Sequence, residues 1–398
     1  MTGADERARV FLQAGQDRRL AEGHPWAFSN EIRMDAETKA LPAGTLATLH
    51  RVDGKPLGIG TFTPHALIAF RLFDRDPHAR IDAAWIRRRL DAALARRRHF
   101  YHQPYYRAVH AEADDLPGLT VDRYGDVVVV QLNTAGIDRL HGEVLSAIEA
   151  ALEPAAIILR NDAKARTLEG LESVVVVAKG SVTDAVPVHE GDLRFFADVL
   201  AGQKTGWFFD QRDNRTRVAP LAKDGALLDV YCHSGGFAVA AAMAGATEVL
   251  GIDSSESALA LAGRAAEANG VAARCSFQRG DAFAELARLA REGRRFGVVV
   301  ADPPAFVKAR KDLGSGRRGY RKLSRLAAPL VEPGGFLFVA SCSHPIEPGM
   351  LLAEVSHGVA AAGRCGRIIR QAGAGPDHPI HLHLPETAYL KTLLLQLD

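Results

Sequence analysis

Cysteine is scarce in this chain of 398 residues: Cys232, Cys275, Cys342 and Cys365 stand far apart and form no CxxC pair. That spacing argues against a disulfide framework and a zinc knuckle, and leaves thiols as the expected state. No apolar run approaches the roughly 18 residues that a membrane helix needs, and Met1–Val10 is charged and lacks the apolar core of a signal peptide. A cytoplasmic protein with no membrane partner is expected. An excess of one charge is also missing, since 49 Lys and Arg against 47 Asp and Glu give +2. A nucleic-acid surface would therefore have to arise from local clustering. The glycine loop that follows Asp229 is not GxGxxG, and no GxxxxGK followed by Ser or Thr occurs, which argues against a dinucleotide fingerprint there and excludes the phosphate-binding loop. With 47% hydrophobic and 24% charged residues the composition supports folded domains rather than disorder, and the length predicts three of them.

The texture changes twice along the chain. Residues 1–75 carry short apolar runs (Leu46–Leu49, Pro56–Gly60, Leu67–Leu72) broken by Gly and Pro, which predicts a small β-rich domain. Over 76–185, Trp85, Ile86, Leu90, Ala93 and Leu94 recur at helical spacing. A hairpin follows about Tyr124-Gly125, then a helix over Ile137–Leu152 and strands at Ala156–Leu159 and Val174–Ala178, an α+β middle domain. The triplets Arg87–Arg89 and Arg96–Arg98 lie nine residues apart, about half a turn out of phase. They ring the helix, as a solvated face or as phosphate contacts. Over 186–398, buried-strand runs at Leu227–Val230, Glu248–Asp253, Val298–Ala301 and Phe336–Ala340 alternate with helical stretches such as Ser255–Asn269. This is the rhythm of a doubly wound parallel sheet in an α/β domain.

Ligands of such sheets bind beyond the carboxyl ends of the strands. Asp229 closes the first strand and leads into Tyr231-Cys232-His233-Ser234-Gly235-Gly236-Phe237, where paired glycines let backbone approach a ligand. Asp253 ends the next strand, placed to accept from ribose hydroxyls, and Asp281 follows the third, placed to accept from an adenine amino group. Together they describe an adenosine pocket without phosphates. Each acid alone is more often a helix cap or turn residue than a ligand contact.

This arrangement resembles the class I (Rossmann-like) methyltransferase fold over Asp210–Asp398. The match sharpens with Gly202-Gln203-Lys204-Thr205-Gly206-Trp207-Phe208-Phe209-Asp210-Gln211-Arg212-Asp213-Asn214-Arg215, with Asp302-Pro303-Pro304-Ala305-Phe306, with Ser341-Cys342-Ser343 and with the tail Pro385–Lys391. These segments resemble the RNA methyltransferase family that includes ribosomal RNA large subunit methyltransferase I, in which a PUA-like domain comes first and a small α+β domain second. The resemblance implies S-adenosyl-L-methionine as cofactor, held by Asp229, Tyr231, Ser234, Gly235, Gly236, Phe237, Asp253, Asp281 and Asp302. It implies 23S ribosomal RNA as substrate, met by Lys204, Gln211, Arg212, Arg215, Pro303, Pro304 and Phe306. It further implies methylation of cytosine C5 through Cys342 adding to C6, with Asp302 beside it, and no metal. A homodimer is an assembly on which the residues are silent.

The chain departs from related patterns in two places. Ala305 occupies the position where amino-group methyltransferases carry an aromatic, so base stacking passes to Phe306. No Cys follows Pro304, unlike RNA cytosine methyltransferases with two cysteines, so one thiol must suffice. Lys308, Arg310, Lys311, Arg317, Arg318, Arg321 and Lys322 form the densest basic cluster of the third domain, either an RNA-gripping loop or solvated charge. Purine-nitrogen methylation and a non-catalytic RNA-binding protein remain as alternatives, with Cys342 the discriminator for the first and the four acids for the second.

Overall fold

The structure, a computed structural model, describes residues 7–398, so most of the charged opening segment lies outside the described residues. The chain forms two compact units. One comprises the chain up to Asp184 with Val199–Gly206 and Pro376–Thr387, the other Ala185–Asp198, Trp207–Gly375 and Ala388–Asp398.

The first unit holds two five-stranded sheets. In one, Ala8–Phe11, Thr45–His50, Pro56–Phe62, Ile68–Asp74 and Trp26–Phe28 lie side by side in that order. In the other the order is Val174–Lys179, Ala156–Asn161, Val127–Leu132, Leu119–Tyr124, Tyr105–His110. The hairpin expected at Tyr124-Gly125 is present, turned by Gly125 at φ +65°. On the helix Ala83–Arg98 the arginines neither ring a solvated surface nor face outward as a set. Arg97 is buried and grips Asp114 through two hydrogen bonds of 2.6 Å, Arg96 reaches the same carboxylate, and Arg89 pairs with Asp74.

In the second unit seven strands make one sheet: β1 (Ala226–Val230), β2 (Glu248–Asp253), β3 (Cys275–Arg279), β4 (Phe296–Ala301), β5 (Val331–Ser341), β6 (Gly366–Ala372) and β7 (Lys391–Leu397). Their order is β3-β2-β1-β4-β5-β7-β6, with β1 to β5 parallel and β7 antiparallel to both neighbours. Leu-Leu and Val-Val-Val runs on β1 and β4 are wholly buried, as helix-covered central strands require. The helices are α1 (Arg212–Val218), α2 (Gly236–Met243), α3 (Glu256–Ala268), α4 (Ala282–Arg291), α5 (Leu313–Ala327) and α6 (Pro348–Ala361). Alanine-rich α2 is buried from Gly236 to Ala242 because its small side chains permit close approach. The Ser255 hydroxyl caps α3 by accepting from the Ala258 N–H, and Asn269 ends that helix. Among the described residues no helix is long and apolar enough to cross a membrane.

Candidate active site

The strand order reverses between β1 and β4, so the loops after these two strands diverge and open a crevice at their carboxyl ends. The loop after β1 is tightly wound: Tyr231, His233 and Gly235 all have left-handed backbone, at φ +67°, +49° and +80°. Two such non-glycine residues in one turn are costly and persist only where surrounding bonds over-determine them. Here the Tyr231 and Cys232 N–H groups both donate to the Ile252 carbonyl, and the His233 N–H donates to Asp253 Oδ2 at 2.9 Å. Gly235 is required, because a Cβ at that left-handed position would stand 2.9 Å from the Ala262 Cβ.

Three acids converge on this crevice. Asp229 is 1% exposed; its Oδ2 accepts from the Ala238 N–H at 3.0 Å, while Oδ1 has no partner among the described residues. Burial pushes its pKa up to about 8, the Ala238 N–H opposing and the negative Asp302 and Asp253 reinforcing the rise. Asp253 also accepts from the Ser255 N–H at 2.9 Å, which leaves second lone pairs on both oxygens. Asp302 follows β4 directly, and Gln211 Nε2 donates to its Oδ2 at 2.9 Å. Gln211 is held in turn by Asn214, whose amide donates to Gln211 Oε1 at 2.7 Å and to the Gly373 carbonyl. The acids fit the expected cofactor. An orphaned carboxylate oxygen flanked by further acids favours a cationic ligand, and S-adenosylmethionine carries a sulfonium and an ammonium.

Cys342 lies one residue past β5, half-buried. Its two neighbours are clamped. The Ser341 hydroxyl donates to Tyr320 Oη at 2.8 Å, Tyr320 shares a 2.9 Å bond with Ser343 Oγ, and Ser343 Oγ accepts from the Val307 N–H in the loop after β4. The nucleophile candidate is thus tied to the Asp302-Pro303-Pro304 loop through buried hydroxyls from α5 and β5.

Several other expected site residues have partners within the protein. Arg215, expected at RNA, is buried in an ion pair with Glu190 of the hairpin Val186–Glu190/Leu193–Ala197 and lies over Trp207, 4.7 Å from the ring centroid. Arg212 approaches the same carboxylate at 3.5 Å. Burial works against an ionised Glu190, but Arg215 above all, with Arg212 and Trp207, holds its pKa below the usual carboxylate range. Phe237 is core, packed on Phe338 at 5.2 Å. Phe306 stacks with Phe283 and tilts against Tyr320 at 4.9 Å, so its ring already has partners. Ser234 is buried and bonds the His233 ring at 3.0 Å; Tyr231 is partly buried. Gly236 begins α2, Pro303 is buried and Pro304 exposed. Asp281 is exposed and caps α4 through the Ala284 N–H at 2.9 Å. Lys204 is exposed, with φ +51°, and belongs to the first unit. In the basic cluster Arg317 and Arg321 are claimed by buried Glu354 of α6, whereas Lys308, Arg310, Lys311 and Arg318 are exposed. Glu190, Tyr320 and Lys391 escaped the sequence reading as site residues; only Lys391 carried a signal, by closing the quoted tail motif.

Residues 163–394 match the family model of S-adenosylmethionine-dependent methyltransferases, and residues 10–75 that of a PUA-like domain. The Pseudoalteromonas atlantica protein named ribosomal RNA large subunit methyltransferase I is 32% identical over 391 residues, 97% of this chain and 98% of the relative. The Enterobacter protein of the same name is 34% identical over 394 residues, 96% and 98% of the two chains. Among solved structures, a Streptococcus mutans chain described as a SAM-dependent methyltransferase superposes with TM-score 0.82 at 17% identity, covering 98% of this chain and 100% of that one. A methyltransferase complexed with SAH does so with TM-score 0.84 at 17% identity and the same coverage. At such identity these two show the fold. With the β3-β2-β1-β4-β5-β7-β6 sheet, its acid-lined crevice and relatives matched from end to end, the chain belongs to the S-adenosylmethionine-dependent methyltransferases with a PUA-like domain whose curated members are named ribosomal RNA large subunit methyltransferase I.

Proposed function

We propose that the protein methylates carbon 5 of a cytosine in large-subunit (23S) ribosomal RNA, with Cys342 as nucleophile. The observation that carries this reading is the clamp about Cys342, a thiol at the carboxyl end of a central strand, held by the Ser341–Tyr320–Ser343 hydroxyls and linked through Val307 to the Asp302 loop. Carbon 5 of cytosine is a poor nucleophile, and a thiolate adding to carbon 6 moves the ring's electron pair onto carbon 5. When bound, S-adenosylmethionine supplies an electrophilic methyl group.

Asp229 and the Tyr231–Gly236 loop hold the cofactor, and Asp253 takes its ribose hydroxyls. Asp281 has a helix to cap and an exposed side chain with which to meet the adenine. Asp302, oriented by Gln211, accepts from the exocyclic amino group of the target base. Cys342 bonds carbon 6 and, once carbon 5 is methylated and has lost its proton to a base, departs as the carbon 5–carbon 6 double bond reforms. Exposed Lys308, Arg310, Lys311 and Arg318 meet phosphates, with the PUA-like domain and Lys204 as further RNA contacts. Such a substrate places the protein in the cytoplasm.

Replacing Cys342 by Ala should abolish turnover while leaving S-adenosylmethionine binding nearly unchanged. Wild type should form a covalent adduct with RNA carrying 5-fluorocytosine, whose fluorine blocks elimination. A Cys342→Ala enzyme that methylates at the normal rate overturns the C5 mechanism in favour of a purine nitrogen.

A further inference from the structure

Lys391 opens β7 directly opposite Ser341 of β5, in antiparallel register. The residue is 7% exposed, and Nζ donates to the Ser343 carbonyl at 2.7 Å and the Tyr389 carbonyl at 2.8 Å. Two carbonyls neutralise nothing: among the described residues no carboxylate pairs with this ammonium. A buried cation without an anion is expensive, and in proteins it either loses its proton or acquires a counter-charge. Burial lowers the Lys391 pKa to about 8, and among the described residues the charge that pulls it back up is that of Cys342. The chain itself brings the two together, because Ser343, whose carbonyl Lys391 holds, is the residue after Cys342.

We infer that Lys391 is the counter-cation of the Cys342 thiolate, a positioning residue that holds the nucleophile's turn by its carbonyl and keeps the sulfur charged for attack. This rests on the reading of Cys342 as nucleophile. The balance is simple: the thiol proton passes to solvent, the ammonium keeps its three protons, and the pair together is neutral. When sulfur bonds carbon 6 its charge passes into the ring, and the ammonium remains beside the adduct until elimination returns the thiolate.

Other ionisable groups border the pair. From α5, Tyr320 reaches the Ser341 and Ser343 hydroxyls. Beyond Ser343, the His344 ring lies 5.8 Å from that of Tyr389, and the Tyr389 hydroxyl donates to Asp210. Tyr320 is pushed further from ionisation by its burial, its bonds to Ser341 and Ser343 opposing. Asp210 accepts from Tyr389 through Oδ2, and the Lys391 ammonium donates to the two carbonyls.

The test is the rate of Cys342 alkylation by iodoacetamide as a function of pH, read by mass spectrometry of the Cys342 peptide in the full-length protein without RNA, with the exposed Cys365 as internal reference. Wild-type Cys342 should react with a midpoint below the roughly 8.5 of an ordinary thiol. Lys391→Met should raise that midpoint by about one pH unit or more and slow alkylation at pH 7 about tenfold, as thiolate fraction dictates. Lys391→Arg should restore most of the rate, and adduct formation with 5-fluorocytosine RNA should slow in parallel in the Met variant while S-adenosylmethionine affinity holds. A wild-type midpoint at or above that of an ordinary thiol overturns the pair without reference to any variant, as does an unmoved midpoint in a folded Lys391→Met protein. Should the pair be found while Cys342→Ala still methylates, the C5 mechanism falls and the ion pair stands; a dead Cys342→Ala with an unmoved midpoint gives the reverse.

Discussion

Replacing Asp229 by Asn changes one atom in the crevice and should abolish the pH dependence of stability that arises there. In the folded protein the Asp229 pKa is pushed up to about 8, chiefly by burial, whereas in the unfolded chain it returns to the ordinary value near 3.9. A group whose folded pKa lies above its unfolded one holds a proton that the unfolded chain releases. Its contribution to stability is therefore fully present below pH 4, falls as pH rises, and is gone above pH 8. Within that window each pH unit costs about 1.4 kcal/mol. Asn keeps an oxygen to accept from the Ala238 N–H and carries no proton to lose. Urea midpoints at pH 5, 6, 7 and 8 should consequently diverge, the variant gaining on wild type by roughly the same increment per unit, with equal m-values. Cofactor binding should move the opposite way. A cationic ligand favours ionised Asp229, so wild type should release about one proton on binding S-adenosylmethionine at pH 7, seen by calorimetry in buffers of different ionisation enthalpy, and the variant none. Parallel stability curves for the two proteins, or equal proton release, would refute the assignment of a neutral buried Asp229 facing a cation.

Tyr320→Phe removes the hydroxyl between Ser341 and Ser343; a loss of about 1–3 kcal/mol in chemical denaturation is expected, with methyl transfer slowed and cofactor affinity preserved. Arg215→Met leaves Glu190 buried and unpaired, for which a loss of about 3–5 kcal/mol is expected, while the salt dependence of RNA binding stays as in wild type. Replacing exposed Arg310, Lys311 and Arg318 together by Ala should instead spare stability and flatten that salt dependence by about 0.7 per lost phosphate contact, measured from 50 to 200 mM salt; a steeper loss from Arg215→Met would reverse the two roles.

The sequence by itself determined the features that depend on near neighbours in the chain. Apolar runs of strand length alternating with helical periods set β1, β2, β4 and β5, and Ser255 and Asn269 bounded α3 within a residue, because caps act over one turn. The 24-residue step from Asp229 to Asp253 spans one strand–helix–strand unit, so both acids had to reach the same sheet edge. What only the tertiary structure decided was the fate of charges and rings whose partners lie far along the chain. Arg215 reads locally as a phosphate contact, whereas Glu190, 25 residues away on a separate hairpin, pairs with it. Phe306 packs its ring against Phe283 and Tyr320, neighbours that the local motif does not show. Lys391 gained its hold on the Ser343 carbonyl, next in the chain to Cys342, by pairing β7 against β5, a contact 48 residues apart in the chain. Burial, which no local pattern reveals, then raised one carboxyl and lowered one ammonium toward neutrality. Type and order of elements follow from short-range periodicity; ionisation and side-chain partnership follow from which surfaces are excluded from water once the sheet has closed.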